Sequence, residues 1–218
     1  MRAVIVVDPA PAPVLDLSSP AASASGTIEV LGEDVRRRSK SDTDPHHHVI
    51  RLELIRDRLA GGRSADFRYR DYSALFKKAR KAGLGITVHA GEDEDWESVD
   101  EVLQYLEPDR IGHGIHAARN AALCRRLAER GVLLEICPSS NLDSKVVKDA
   151  DELGEYIAIF KKHKVRFSFN TDGPEMLETT LRDELRLAVR NSWVTKEELA
   201  ECGAWAKEAS FLRRDGAK

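Results

Sequence analysis

Four short, mostly apolar stretches, each followed by a polar or reactive residue, constrain the fold of this chain more than any other feature. They cover residues 84–88, 110–111, 132–137 and 165–171, and their aliphatic and β-branched side chains predict buried strands. Amphipathic segments lie between them. Strands that alternate with helices of this length form parallel βαβ units. The alternation therefore predicts an α/β fold built on a parallel sheet.

The segments around the strands predict helices because their apolar residues recur every three or four positions. These stripes cover residues 72–79, 96–106, 123–127, 153–160, 177–188 and 199–205. Two helix starts carry recognisable N-caps: Asn120 precedes the third helix, and Thr195 with Glu198 forms a capping box before the last. The fifth stripe predicts a long helix that includes Leu177.

The reactive residues follow the predicted strands. His89, His113 and Cys137 recur at equal steps of 24 residues, and Asp172 follows the last strand. In a (βα)₈ barrel the carboxyl ends of the strands form the active-site face, and a complete barrel needs about 250 residues. We therefore interpret residues 66–213 as about the C-terminal half of a TIM-type (βα)₈ barrel, comprising strands 5–8 and their helices.

Residues 1–65 do not continue this pattern. Residues 3–7 and 27–31 have the composition of strands, but a segment rich in proline, alanine and serine separates them. We expect a divergent N-terminal region that is partly disordered. The run His46-His47-His48 contains a His-x-His spacing suited to metal binding. Its polar context, with no strand before it, favours a solvated histidine run.

The composition excludes several classes of protein. The chain has 218 residues, 42% of them hydrophobic and 33% charged, with a formal net charge of −3. Bulk charge therefore gives no basis for binding nucleic acid or an anionic membrane, and no apolar run approaches the length of a membrane span. The three cysteines, Cys124, Cys137 and Cys202, form no Cys-x-x-Cys pair, which predicts reduced thiols in a cytoplasmic protein.

The side chains after the strands suit a hydrolytic metal site. His89, His113 and Asp172 offer nitrogen and oxygen atoms to one divalent ion, and this donor set is typical of zinc. Zinc lowers the pKa of bound water from 15.7 to about 7. Asp172 serves as a metal ligand or base, and His113 orients the hydroxide or stabilises developing charge. Glu92, three positions after His89, is free to deliver protons to a substrate nitrogen.

Each of these residues also has an ordinary structural interpretation. His89 is equally explained as the cap of a loop after a strand, and Asp172 as part of an Asp-Gly turn. His113 lies between two glycines, which weaken a strand unless close approach is needed, so its position favours a function. The segment Cys137-Pro138-Ser139-Ser140-Asn141 superficially resembles a nucleophilic cysteine motif. No histidine lies beside it in the sequence, which favours a loop.

Four segments together resemble the ordered signatures of the adenosine deaminase family. They are His89-Ala90-Gly91-Glu92, Arg110-Ile111-Gly112-His113-Gly114, Cys137-Pro138-Ser139-Ser140-Asn141 and Asn170-Thr171-Asp172-Gly173-Pro174. Their order and spacing match the family over about residues 66–213. The resemblance implies a zinc-dependent (βα)₈ barrel that hydrolyses the 6-amino group of adenosine-type purines to the inosine-type product and ammonia.

The resemblance also implies roles for individual residues. By position, His89 matches a zinc-binding histidine and Asp172 the zinc-binding aspartate. Glu92 matches the proton donor to the purine ring nitrogen. His113 matches the histidine that activates or orients the attacking water. The Cys-x-x-Cys signature of the cytidine-type zinc deaminases is absent.

Two positions depart from the family pattern. The family's first strand carries a His-x-His pair that completes the zinc site, and nothing before Asp66 matches it in context. The family usually has a second aspartate after the one matched by Asp172, and that residue contacts the purine. Gly173 occupies this substrate-binding position here, which implies a different purine-like substrate or reduced activity.

Three hypotheses about function follow. The first is zinc-dependent hydrolytic deamination of adenosine or a related 6-aminopurine nucleoside. The second is a catalytically impaired or inactive fragment that acts, if at all, through self-association or a partner, because a half-barrel leaves sheet edges uncovered and favours a homo-oligomer. The third, allowed by Gly173, is a metal-dependent hydrolase of another amine.

Overall fold

The structure is a computed structural model, and it describes residues 2–7, 27–30, 49–55, 68–81 and 84–211. The first three of these ranges are described as backbone strands only. The histidine run 46–48 and the segment rich in proline, alanine and serine lie outside the described residues.

A seven-stranded sheet organises the described residues. Its strands are β1 (Arg2–Val7), β2 (Thr27–Val30), β3 (Val49–Ile55), β4 (Gly85–Ala90), β5 (Arg110–His113), β6 (Leu133–Ile136) and β7 (Arg166–Phe169). Their order in space is β2-β1-β3-β4-β5-β6-β7. Every neighbouring pair from β3 to β7 is parallel, whereas β1 runs antiparallel to β3. The four strands β4–β7 confirm the predicted parallel sheet.

Helices lie between the parallel strands and after the last of them. They are α1 (Ser73–Lys81), α2 (Trp96–Tyr105), α3 (Ala121–Arg130), α4 (Pro138–Asp143), α5 (Ala150–Lys162), α6 (Leu181–Arg190) and α7 (Lys196–Glu208), with 3₁₀ turns at Tyr69–Tyr72 and Ile115–Arg119. Asn120 accepts hydrogen bonds from the amides of Ala122 and Leu123. The capping box of Thr195 and Glu198 is present at the start of α7. Both predicted caps are therefore confirmed.

Two predicted segments differ from the observed elements. The fifth predicted helix is observed as α6 and does not include Leu177. The extended backbone of Thr180 precedes α6, and the Thr180 side chain accepts a hydrogen bond from the Asp183 amide. The segment after β6 is not a loop but the short helix α4. Pro138 is its first residue, a position where the missing N–H of proline costs nothing and its fixed φ favours the helix.

The pairing register divides the residues of the sheet between two faces. Val88, Ile111, Leu134 and Phe167 form one row across β4–β7, and all four are buried in the core under the helices. The neighbouring row contains His89, Gly112, Glu135 and Ser168. Because successive residues of a strand point to opposite faces, this second row lies on the face away from the core.

Candidate active site

His89, Glu92 and His113 form a cluster at the carboxyl ends of β4 and β5. The Nε2 atom of His89 lies 3.0 Å from Oε2 of Glu92, and Nδ1 of His113 lies 3.6 Å from Oε1 of the same carboxylate. The two imidazole rings are 4.6 Å apart. One potential ligand atom from each residue lies within 4.8 Å of the other two. The structure thus brings together three of the residues singled out in the sequence.

A tight turn after β4 aims Glu92 back at His89. Gly91 has a φ of +69°, and a Cβ atom at this position would lie 2.3 Å from Cγ2 of Val99. The Gly91 amide donates to Oγ of Ser98 at 3.0 Å. Only glycine combines this backbone conformation with so close an approach, so the glycine of the His-Ala-Gly-Glu motif is required by geometry.

His113 also adopts a left-handed backbone conformation. Its φ is +60°, and that of Gly114 is +64°. The Gly114 amide donates to the Ala90 carbonyl at 2.9 Å, which ties this turn to the end of β4. A non-glycine residue in this region is uncommon, and such strain often accompanies functional sites.

Electrostatics separate the two histidines. Burial lowers the pKa of His89, but its hydrogen bond to Glu92 and the charges of nearby carboxylates, Glu92 foremost, together raise the pKa above its ordinary value. His113, 2% exposed, has a pKa lowered by burial and by the charge of His89, with only partial opposition from Glu92. His89 therefore holds a proton more readily, whereas His113 favours the neutral imidazole.

Asp172 lies beside this cluster rather than within it. Among the residues that the structure describes, the three-residue ligand group does not include it. Its φ is +58°, and its Oδ2 accepts a hydrogen bond from Oγ of Ser140 at 2.7 Å. Its charge nevertheless helps to raise the pKa of His89 and opposes the lowering of the pKa of His113. Its partner Ser140 adjoins Asn141, whose side chain contacts His113.

Gly173 has room for a side chain. A Cβ atom there would meet Cε of Met176 at 3.4 Å and Cβ of Met176 at 3.7 Å, which are ordinary contacts. Its φ lies outside the left-handed range. Glycine at this substrate-binding candidate is therefore not imposed by local geometry.

The segment from Cys137 to Asn141 supplies contacts that the sequence did not predict. The Asn141 amide nitrogen lies 3.0 Å from Nδ1 of His113, and Asn141 is fully buried. Burial and the charge of Asp172 raise the pKa of Cys137 well above its ordinary value, which argues against a nucleophilic thiolate. The signal for Asn141 was its place in a strand-end motif, but its contact depends on α4, which was not predicted.

The cluster has the chemistry of a metal site. Two imidazoles and one carboxylate offer nitrogen and oxygen atoms within 4.8 Å of one another, which suits zinc or a similar divalent ion. The raised pKa of His89 also fits a ligand that exchanges a proton for a metal.

The parallel strands β3–β7, with a cluster of reactive side chains at the carboxyl ends of β4 and β5, are the arrangement expected of the C-terminal part of a (βα)₈-barrel enzyme. The family model described as Adenosine deaminase matches residues 49–218. The chain belongs to the adenosine deaminase family. The predicted family is therefore confirmed, and so is the predicted fold class, the C-terminal part of the family's α/β barrel.

Individual relatives extend this comparison. An adenine deaminase of Mesorhizobium japonicum is 38% identical over 145 residues, which cover 66% of this chain and 44% of that protein. The crystal structure of an adenine deaminase from Arthrobacter aurescens matches with a TM-score of 0.61 and 24% identity, covering 70% of this chain and 46% of that one. The structure of the N6-methyl-AMP deaminase from Arabidopsis thaliana matches with a TM-score of 0.59 and 25% identity, covering 70% of this chain and 44% of that one.

The chain thus spans less than half the length of each of these three proteins. Within the part of the chain that the structure describes, no helix combines the length and apolar character needed to cross a lipid bilayer.

Proposed function

We propose that this chain carries the catalytic half of a purine deaminase site, which replaces a 6-amino group with oxygen from water and releases ammonia. The cluster of His89, Glu92 and His113 is the observation that carries the proposal. Adenosine or a related nucleoside was the substrate expected from the sequence. The names of the relatives favour adenine as the first substrate to test.

We assign the metal site to His89 and Asp172, with zinc as the proposed ion. A bound divalent ion would supply hydroxide at neutral pH by lowering the pKa of water to about 7. Asp172 lies outside the cluster of three in this structure. The nearby bond from Ser140 fixes one of its oxygens and leaves the other to bind a cation.

Glu92 and His113 manage the protons in this proposal. Glu92 is 5% exposed and contacts both histidines, so a proton on its carboxyl group is shielded from solvent. It donates that proton to a ring nitrogen of the purine. His113 is neutral because burial lowers its pKa, and it accepts a hydrogen bond from the attacking water. Purine amine and water then yield the oxopurine and ammonia.

The test compares metal content and turnover in the same preparations. We expect bound zinc, and ammonia release with the matching absorbance change from adenine or adenosine. Glu92→Gln should retain the metal and lose turnover by roughly 100-fold or more. Glu94→Gln is the matched control, since Glu94 is a neighbouring buried carboxylate that accepts from the Tyr69 hydroxyl. A chain with neither metal nor ammonia release would overturn the proposal.

A second candidate function is self-association without catalysis. It rests on the sheet, in which β7 is a terminal strand among the described residues. A free strand edge offers hydrogen-bonding groups to another chain. Light scattering should then report a homo-oligomer. A monomer over a wide range of concentration would remove this candidate. The free, buried cysteines support a cytoplasmic location for either function.

A further inference from the structure

Glu184 is a fully buried carboxylate on α6 that the site described above does not use. It is 0% exposed. Its Oε2 accepts a hydrogen bond from the Ser139 amide at 3.0 Å, and its Oε1 accepts one from Oγ1 of Thr179 at 2.7 Å. Burial of a carboxylate is costly unless its hydrogen bonds are satisfied. An apolar residue of similar volume would avoid the desolvation cost of the carboxylate. The two hydrogen bonds therefore indicate a role for Glu184 beyond filling space.

The Ser139 amide is the first link between α6 and the strand-end site. The next two residues each reach a different site residue. Oγ of Ser140 donates to Asp172 at 2.7 Å, and the side-chain amide of Asn141 contacts Nδ1 of His113 at 3.0 Å. Three consecutive residues are therefore fixed at Glu184, Asp172 and His113.

We propose that Glu184 is a positioning residue: by fixing the Ser139 amide it sets the placement of Ser140 against Asp172 and of Asn141 against His113. The effect on turnover rests on the proposed function. The effect on the placement of residues 138–144 does not, because it concerns the protein without substrate.

The geometry distinguishes this role from simple packing. Pro138 has no N–H group, so the Ser139 amide is the first donor of α4, and the first N–H groups of a helix need partners outside it. Loss of the Glu184 carboxylate leaves this part-buried donor without its acceptor. Glutamine retains a carbonyl oxygen for Ser139, and its NH₂ can donate to Oγ1 of Thr179, so charge is not required for positioning.

Three variants of the full chain separate these cases. Glu184→Leu removes both acceptors at similar volume, and Glu184→Gln keeps one acceptor. Ala188→Gly is the matched control. Ala188 is buried one turn later on α6, and glycine at this position weakens the helix without affecting the bond to Ser139. The readouts are hydrogen exchange of residues 138–144 without substrate, thermal stability, and kcat and KM for adenine.

We expect Glu184→Leu to raise amide exchange in residues 138–144 by about tenfold or more. We expect it to lower kcat by roughly 10- to 100-fold with little change in KM. Glu184→Gln should stay within about threefold of the parent in both, and Ala188→Gly should lower the melting temperature without selective exchange in this segment.

Equal amide exchange of residues 138–144 in Glu184→Leu and Ala188→Gly would overturn the proposal. So would a Glu184→Gln variant whose exchange and kcat are as impaired as those of Glu184→Leu. If the leucine variant does not fold, Glu184→Gln and Thr179→Val decide the question. The first should retain protection at Ser139. Thr179→Val removes the other hydrogen bond to the carboxylate and should raise exchange of residues 138–144 by a smaller factor than Glu184→Leu. Unchanged exchange in Thr179→Val would count against the positioning role. A parent chain without turnover in which exchange still rises refutes the proposed function and leaves the positioning role intact.

Discussion

Glu92 is the residue through which the two histidines of the site interact. One of its oxygens lies 3.0 Å from His89 and the other 3.6 Å from His113. Two imidazolium ions with rings 4.6 Å apart would repel each other, so the proton favours one ring. The hydrogen bond and charge of Glu92 favour His89, and burial keeps His113 neutral. This division suits a site in which one histidine binds a cation and the other accepts a hydrogen bond.

The link between Glu92 and His89 can be tested in the metal-free protein. Glu92→Gln should lower the pKa of His89, because the substitution removes the charge and weakens the hydrogen bond that raise it. The pKa of His89 is raised above 6.5, so the stabilisation it provides is complete below that pH and is lost as pH rises through the raised value. The variant should therefore lose more stability at pH 6 than at pH 9.

Nuclear magnetic resonance titration of the histidine rings measures the pKa, and urea unfolding at both pH values measures stability. Glu94→Gln is the control, since Glu94 is not among the groups that shift His89. An unchanged His89 pKa in the Glu92 variant would show that the bond seen between them does not persist in solution.

Gly173 determines which purine substituents can be recognised if the proposed function holds. Gly173→Asp places an acceptor where local contacts allow a side chain. A hydrogen bond to a charged group contributes about 1.5–3 kcal/mol, so kcat/KM for adenine should rise by roughly tenfold or more. Steady-state kinetics with adenine and adenosine check this. Gly173→Ala fills the space without an acceptor, and equal kinetics for the two variants would mean that no substrate donor reaches this position.

At the scale of elements, the sequence predicted well wherever a local signal coincides with the final structure. Apolar periodicity located β4–β7, and the N-caps at Asn120 and Thr195 were recognisable because a cap depends on neighbours within three residues. The predicted start of α6 was wrong, because the apolar spacing extends back to Leu177 whereas Thr180 caps the helix three residues later. Helix α4 has six residues, too few for a periodic pattern.

The contacts of the site likewise divide into those that the sequence could predict and those that it could not. His89, Glu92 and His113 could be grouped because the ends of parallel strands meet at one edge of the sheet. The contacts of Ser140 and Asn141 could not be predicted, since they depend on α4 and on the left-handed backbone of His113 and Asp172. Histidine and aspartate adopt that conformation more often than most residues but still rarely, so the sequence does not locate it at these two positions.

The turn after β4 makes a prediction at this scale. Gly91→Ala should destabilise the protein by about 2–4 kcal/mol, because alanine is strained at a φ of +69° and its Cβ would overlap Val99. Gly203→Ala is the matched opposite. Gly203 lies within α7 with nothing within 4 Å of the added Cβ, so the change should stabilise by about 0.5–1 kcal/mol. Urea unfolding measures both, and a neutral Gly91→Ala would show that this turn is not as tight as described.

At the scale of the whole molecule, this chain supplies the C-terminal part of the family's barrel. We propose His89 and Asp172 as two metal ligands, and the resemblance to the family implies that its His-x-His pair supplies others. The chain covers 44% of an adenine deaminase to which it is 38% identical. Two ligands alone would bind a metal weakly, since affinity depends on the number and geometry of the ligands.

Complementation with the N-terminal part of such a relative tests this reasoning. Co-expressed with that part of the Mesorhizobium enzyme, this chain should bind zinc more tightly and deaminate adenine faster than either piece alone. Asp172→Ala in this chain should still form the complex but lose zinc, because the carboxylate proposed as a ligand is removed. Glu92→Gln should keep zinc and lose turnover. A complex that binds no more zinc than the chain alone would mean that His89 and Asp172 do not act as ligands, and that the strand-end cluster of this chain has a use other than its family's chemistry.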